Sequence, residues 1–188
     1  MSSILATGST TPAFISEGIN ADGGLDIIGK DDISNIIRIT DSDASNPGGD
    51  FVVGGSLGDI IDSSGGDDTI IAGGGDDFIA GGEGSDLIQG GEGADIIRGG
   101  AGADYILGGE GMDIFDLQGN DFASGEIDRY LDFEDSHTDA LRISGVSEAV
   151  TYDSDSGEVK VGDDTVAYIG KDLDIDVTKL DDDTYDLF

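Results

Sequence analysis

Large apolar side chains recur at every ninth position through the middle of the chain. Six of them stand in one register: Ile70, Ile79, Ile88, Ile97, Ile106 and Phe115. Ile is β-branched and suits a buried, pleated surface, but a run this short forms a strand only when neighbouring runs stack on it. The spacing predicts short strands alternating with tight turns. Two repeats, or 18 residues, would make one turn of a coil whose apolar side chains meet inside.

Glycine and aspartate fill the turns between these apolar positions. The units read G-G-x-G-x-D-x-U-x, where U is the large apolar residue, and six follow one another: 63–71, 72–80, 81–89, 90–98, 99–107 and 108–116. Glycine allows the positive φ that a tight turn requires. The sixth residue is aspartate in every unit: Asp68, Asp77, Asp86, Asp95, Asp104 and Asp113.

Weaker copies of the unit precede the six regular ones, at 21–29, 30–38, 45–53 and 54–62. The last of them has Leu57 where the third glycine belongs. Their sixth and eighth residues are, in chain order, Asp26 and Ile28, Asn35 and Ile37, Asp50 and Val52, and Asp59 and Ile61.

The negative charge of the chain indicates that it binds cations. The 42 acidic residues outweigh 8 basic ones, for a net charge of −34. This excludes nucleic acid as a natural partner and argues against anionic membrane surfaces. Cysteine is absent, so neither disulfides nor thiolates hold the fold. No apolar run approaches the roughly 20 residues of a membrane span, so we expect no membrane insertion. Met1–Asn20 does not resemble a conventional secretory signal peptide.

The turn aspartates supply the chemistry for that cation. Aspartates of units i and i+2 become neighbours when the coil closes, and they repel one another unless a cation lies between them. Ca²⁺ accepts six to eight oxygens from carboxylates and backbone carbonyls, which glycine-rich turns can point inward. The two Ile side chains of one turn bury too little apolar surface to offset the ordering of 18 residues. We therefore expect the coil to be unfolded without metal.

The repeat resembles the RTX (hemolysin-type) family of calcium-binding nonapeptide repeats, found in exported bacterial toxins, proteases and lipases. In that family, each Ca²⁺ is held by the second and fourth carbonyls and the Asp of one turn, with the first and third carbonyls and the Asp of the turn two repeats on. The resemblance implies about four Ca²⁺ sites: Ser64, Gly66 and Asp68 with Gly81, Glu83 and Asp86; Gly73, Gly75 and Asp77 with Gly90, Glu92 and Asp95; Gly82, Gly84 and Asp86 with Gly99, Ala101 and Asp104; and Gly91, Gly93 and Asp95 with Gly108, Glu110 and Asp113. Asp59 belongs to a further set, which Leu57 interrupts. Asp104 lacks a partner two repeats on, because Phe122 stands where the next Asp belongs.

The C-terminal part is similar to the cap of RTX proteases and epimerases. Its stretch GEIDRYLDFEDSHTDALRISG carries this likeness, and the next segment reads as strands around the turn Asp155–Gly157. The last residues, 183–188, are similar to uncleaved signals read by type I secretion systems, which implies a transient ABC-transporter partner. We therefore predict an all-β chain with three parts: an N-terminal cap with degenerate repeats (1–44), a parallel β-roll of about four turns (45–116), and a small antiparallel β cap with the secretion signal (117–188).

The sequence favours a secreted bacterial calcium-binding protein over an enzyme. His137 is the only histidine, so the H-E-x-x-H zinc motif cannot occur. Two other classes stay open: a C-terminal export and folding module of a larger secreted hydrolase, and a structural or adhesive surface protein. Apolar residues at the seventh position suggest either packing under flanking segments, which we favour, or a face for calcium-dependent self-association or for a ligand: Phe78, Leu87, Ile96 and Tyr105.

Overall fold

The structure is a computed structural model, and it describes residues 3–4, 14–19, 25–29, 34–40, 48–122, 125–133, 139–171, 173, 175–181 and 183–188. Those residues form strands and turns and contain no helix. The strands are β1 (Ser3–Ile4), β2 (Phe14–Ile19), β3 (Leu25–Gly29), β4 (Ile36–Thr40), β5 (Phe51–Gly55), β6 (Ile60–Asp62), β7 (Thr69–Gly74), β8 (Phe78–Glu83), β9 (Leu87–Glu92), β10 (Ile96–Ala101), β11 (Tyr105–Glu110), β12 (Ile114–Gln118), β13 (Asp128–Tyr130), β14 (Ala140–Ser144), β15 (Val150–Asp153), β16 (Glu158–Val161), β17 (Asp164–Tyr168), β18 (Val177–Lys179) and β19 (Thr184–Leu187).

Alternate strands belong to two different sheets, as a coil with two strands per turn requires. One sheet has the order β1-β4-β6-β8-β10-β12-β14-β19-β18, and the other has the order β15-β16-β17-β13-β11-β9-β7-β5-β3-β2. From β3 to β14, every pairing within a sheet is parallel. The prediction of an all-β chain with a parallel β-roll is confirmed.

The nine-residue spacing sets the register of these ladders. Ile70 pairs with Ile88, and Ile88 pairs with Ile106, each 18 residues further on. The other sheet repeats the arrangement through Ile79 and Ile97. All these side chains are fully buried, and they belong to one apolar cluster. The eighth position of the repeat therefore builds the core, as predicted.

The degenerate N-terminal units behave differently from one another. In 30–38, Ile37 pairs with Ile61 and is fully buried, so the predicted phase is correct. In 21–29, the predicted phase is wrong by one residue. There, Ile27 pairs with Val52 and is buried, while Ile28 is exposed. Burial of the β-branched side chain decides the register, because a one-residue slip exchanges the two faces of a strand.

The C-terminal part continues both sheets before it closes them. β13 and β14 add parallel strands to β11 and β12. After them, β17 pairs in parallel with β13, and the remaining pairings are antiparallel: β16 with β17 and β15 with β16 in one sheet, and β19 with β14 and β18 with β19 in the other. This confirms the antiparallel C-terminal strands and the hairpin around Asp155–Gly157. The division into three domains stays a prediction.

Candidate metal centre

The sixth-position aspartates form two columns, one for each set of alternate units. In each column, the backbone N–H of one member donates to Oδ1 of the member on the next turn of the coil. Asp86 N donates to Asp104 Oδ1, and Asp77 N donates to Asp95 Oδ1, both at 2.8 Å. Glycine turns of constant length produce this repetition, because they return the chain to the same place every 18 residues. The first column comprises Asp50, Asp68, Asp86, Asp104 and Asp128. The second comprises Asn35, Asp59, Asp77, Asp95, Asp113 and Asp139.

The second carboxylate oxygen of these residues is the unusual feature of the columns. Oδ2 is buried and has no hydrogen-bond partner in six described members: Asp59, Asp77, Asp86, Asp95, Asp104 and Asp113. These six residues are only 0–3% exposed. A buried acceptor without a partner costs free energy, and a repeated one indicates a ligand.

The first-position glycines show what surrounds that oxygen. A Cβ built on Gly81 would lie 2.2 Å from Asp86 Oδ2 and 2.7 Å from the carbonyl oxygen of Gly99. A Cβ on Gly90 would lie 2.2 Å from Asp95 Oδ2 and 2.6 Å from the carbonyl oxygen of Gly108. Carboxylate and carbonyl oxygens of different turns therefore converge beside a residue that has no side chain. These are the oxygen types that Ca²⁺ prefers.

Glycines at the second and fourth positions let adjacent turns approach closely. Gly82 has φ +120°, and a Cβ there would lie 1.9 Å from the carbonyl oxygen of Ser64. At the fourth position, a Cβ on Gly84 (φ +129°) would lie 2.1 Å from the carbonyl oxygen of Gly66. Ser64 stands at a second position and also has a positive φ, +71°. Leu57 does not adopt the positive φ of the fourth-position glycines, so its turn has a different shape.

The third-position carbonyls already accept backbone hydrogen bonds. Gly84 N donates to the carbonyl oxygen of Ala101 at 2.8 Å, and Gly93 N donates to that of Glu110 at 2.8 Å. A carbonyl oxygen has two lone pairs, so one remains available on each. These bonds hold together the same turn pairs that the resemblance assigns to one ion. In the same way, Gly75 N donates to the carbonyl oxygen of Glu92, and Gly66 N donates to that of Glu83.

Burial also raises the pKa values of aspartates in both columns. Desolvation, with additional repulsion from neighbouring aspartates, raises the pKa of Asp86 to about 8 and that of Asp77 to about 7. The pKa values of Asp104 and Asp113 rise to about 6, mainly through burial. A cation beside Oδ2 would act in the opposite direction by favouring the charged carboxylate.

The structure also contains column members that the repeat pattern missed. Asp128 Oδ1 accepts a hydrogen bond from the backbone N–H of Asp104, at 3.1 Å and 24 residues on. Asp139 Oδ1 accepts one from Asp113, at 3.2 Å and 26 residues on. The expectation that Asp104 lacks a partner is therefore wrong, because a longer connection restores the column after Phe122. The D-x-apolar triplets starting at Asp128 and Asp139 were the signal that could have revealed both.

The outer positions of the repeat are exposed. Asp67 and Asp76, at the fifth position, each accept a backbone hydrogen bond from the next turn of the coil.

The prediction that flanking segments cover the seventh-position side chains is wrong, because the described flanking strands extend the sheets at their ends rather than covering their faces. His137 lies outside the described residues. The seventh-position side chains are 40–49% exposed: Phe78, Leu87, Ile96 and Tyr105.

A comparison with protein families identifies the repeat. The model of the RTX calcium-binding nonapeptide repeat matches in four copies, over residues 46–79, 53–88 and 80–115. Residues 46–115 are RTX repeats. RTX repeats bind Ca²⁺ as structural units rather than catalytic ones, and proteins that carry them are typically secreted by bacteria. No curated protein and no solved structure matched the chain. None of the described residues belongs to a helix that could span a membrane.

Side chains alone do not complete a metal site in the two aspartate columns. In the described parts of the chain, no three His, Cys, Asp or Glu side chains could hold a metal by themselves. An ion in the columns would therefore combine carboxylates with backbone carbonyls, a mixture that Ca²⁺ accepts. The buried Oδ2 atoms and the converging carbonyls fit such an ion.

Proposed function

We propose that this chain is an extracellular calcium-binding RTX protein whose roll folds when Ca²⁺ binds after type I secretion. The observation that carries the proposal is the repeated buried Oδ2, because a folded roll without cations leaves a carboxylate oxygen unsatisfied in turn after turn. Removing the cation should therefore remove the fold rather than leave an empty, folded roll.

The ions would lie along both aspartate columns, each between two carboxylates that are neighbours in one column. Carbonyl oxygens of the glycine-rich turns would complete each set, since Ca²⁺ takes more oxygens than two carboxylates supply. The four pairs are Asp68 with Asp86 and Asp86 with Asp104 in the first column, and Asp77 with Asp95 and Asp95 with Asp113 in the second.

The C-terminal strand supports the order of export before folding. β19 lies between β14 and β18, Leu187 is fully buried, and Arg142 pairs with Asp186 at 2.9 Å. A transporter that reads residues 183–188 could reach them only in the unfolded chain. Low cytosolic calcium would keep the chain in that state, since extracellular calcium modules typically bind on the order of 10⁻⁴–10⁻³ M.

A far-UV circular dichroism titration tests the coupling. The chain is purified in denaturant and transferred to chelator, to Mg²⁺ or to Ca²⁺ at equal ionic strength. We expect a strand spectrum in Ca²⁺ alone, because Mg²⁺ demands a stricter octahedral geometry and dehydrates reluctantly. A full strand spectrum in chelator would refute the proposal.

One row of exposed apolar residues favours a second candidate, a structural role through self-association. Ile60, Phe78 and Ile96 are neighbours on adjacent strands of one sheet and are 40–49% exposed. Sedimentation in Ca²⁺ tests this, with Phe78→Ser as the probe and Leu57→Ser, an exposed turn residue outside the row, as the control. Oligomers that dissociate in the first variant alone would support the role, and a monomeric wild-type chain would exclude it.

A further inference from the structure

The first aspartate column runs past the last RTX repeat. Its regular members are 18 residues apart, but the step from Asp104 to Asp128 is 24 residues. The strands keep their register across this longer step, since Tyr105 pairs with Arg129 and Ile106 pairs with Tyr130. Asp128 therefore occupies a sixth-position place in the coil although no nonapeptide surrounds it.

The surroundings of this pair favour a bound cation. Asp104 is 0% exposed and its Oδ2 has no hydrogen-bond partner, while Asp128 is 3% exposed. Arg98 lies in β10, the strand that precedes Asp104, and its charge is paired with Asp121 at 2.9 Å. Arg129 is on the outer face, where it lies 4.6 Å from the ring centre of Tyr168.

We infer that Asp104 and Asp128 share a Ca²⁺ site of their own, completed by backbone carbonyls and extending beyond the residues that match the RTX repeat. The inference rests on the proposed calcium function and extends it into the C-terminal part. The site would join the end of the roll to the strands that close it, so that the last repeat and β13 fold together.

Counting bound ions tests the inference. Native mass spectrometry at saturating Ca²⁺ is applied to the wild-type chain, to Asp128→Asn and to Asp121→Asn. Asp121 is as buried as Asp128 but is satisfied by Arg98 and by the backbone N–H of Gln118. We expect Asp128→Asn to bind one ion fewer and Asp121→Asn to bind the wild-type number. An unchanged count in Asp128→Asn, or an equal loss in both variants, would overturn the inference.

Terbium luminescence tests the same site if Asp128→Asn does not fold. The Tyr130 hydroxyl donates to Asp128 Oδ2 at 3.4 Å, so Tb³⁺ bound there would be sensitised by this tyrosine. Tyr130→Phe keeps both carboxylates and should lower tyrosine-excited Tb³⁺ emission by roughly half or more, whereas Tyr152→Phe in the C-terminal hairpin should not. Equal emission from all three chains would overturn the inference. A wild-type chain that binds no Ca²⁺ would instead refute the proposed function.

Discussion

Asp95 uses its two carboxylate oxygens differently: Oδ1 accepts the backbone N–H of Asp77 at 2.8 Å, while the buried Oδ2 has no hydrogen-bond partner. The first oxygen ties one turn of the coil to the next. The second is available to a cation. The same arrangement is present in five other aspartates of the two columns: Asp59, Asp77, Asp86, Asp104 and Asp113.

Replacing Asp95 should separate these two roles. Asp95→Asn keeps an oxygen that can accept from Asp77 but removes the charge, so the Ca²⁺ midpoint of folding should rise roughly tenfold or more, since ligand charge sets affinity. Asp76→Asn is the matched control, because exposed Asp76 also accepts one backbone N–H, from Ala94 at 3.0 Å. Its midpoint should stay within about twofold. Equal midpoints for the two variants, measured by circular dichroism, would contradict the assignment.

The close approach of turns predicts a strong effect of one methyl group. Gly91 has φ +126°, and a Cβ there would lie 1.9 Å from the carbonyl oxygen of Gly73. Gly91→Ala should lower the stability of the calcium-loaded roll by at least about 1–3 kcal/mol. In Gly74→Ala, the nearest atom to the new Cβ is 3.7 Å away, so that variant should unfold close to wild type in denaturant. Similar losses in both would show that turn spacing does not limit stability.

Acid should partly replace calcium. The ordinary Asp pKa is 3.8, and burial raises the folded-state pKa of Asp77 to about 7 and of Asp86 to about 8. Because these pKa values are higher in the folded chain, the metal-free roll is most stable at a pH below the unfolded-state pKa of 3.8. It loses stability as the pH rises to 7–8 and the buried aspartates must ionise. We expect strand content in calcium-stripped buffer to increase from about pH 8 to about pH 4. Salt at the higher pH should not mimic this, because it screens surface charges and not buried ones. A chain equally unfolded at both pH values would contradict the prediction.

The C-terminal strand should stabilise the folded roll. Leu187 is fully buried between β14 and β18, whereas Leu180 is 53% exposed. Leu187→Ala should destabilise the calcium-loaded protein by about 2–5 kcal/mol, and Leu180→Ala by less than about 0.5 kcal/mol. Thermal unfolding in Ca²⁺ measures both. Matching melting temperatures would mean that β19 does not contribute to the closed end of the roll.

The sequence was sufficient for the roll because one spacing encodes both its core and its turns. The fixed period placed Ile88 inside and Asp86 in a column, since each has the same neighbours on every turn. The fixed period alone could not place Asp128, because the connection after Phe122 is longer than a repeat. Its D-x-apolar triplet was the remaining sequence signal, and the strand pairing restores the register. The sequence also misjudged Phe78, because apolar character alone does not reveal whether another segment covers a sheet face.

Amide hydrogen exchange, compared in chelator and in Ca²⁺, measures directly whether the roll folds only when Ca²⁺ binds. The amides of β7 to β11 carry the parallel ladders between the two aspartate columns. We predict exchange near the rate of an unfolded chain in chelator and strong protection of all five strands together once Ca²⁺ binds. Equal protection of these strands in chelator and in Ca²⁺ would contradict it.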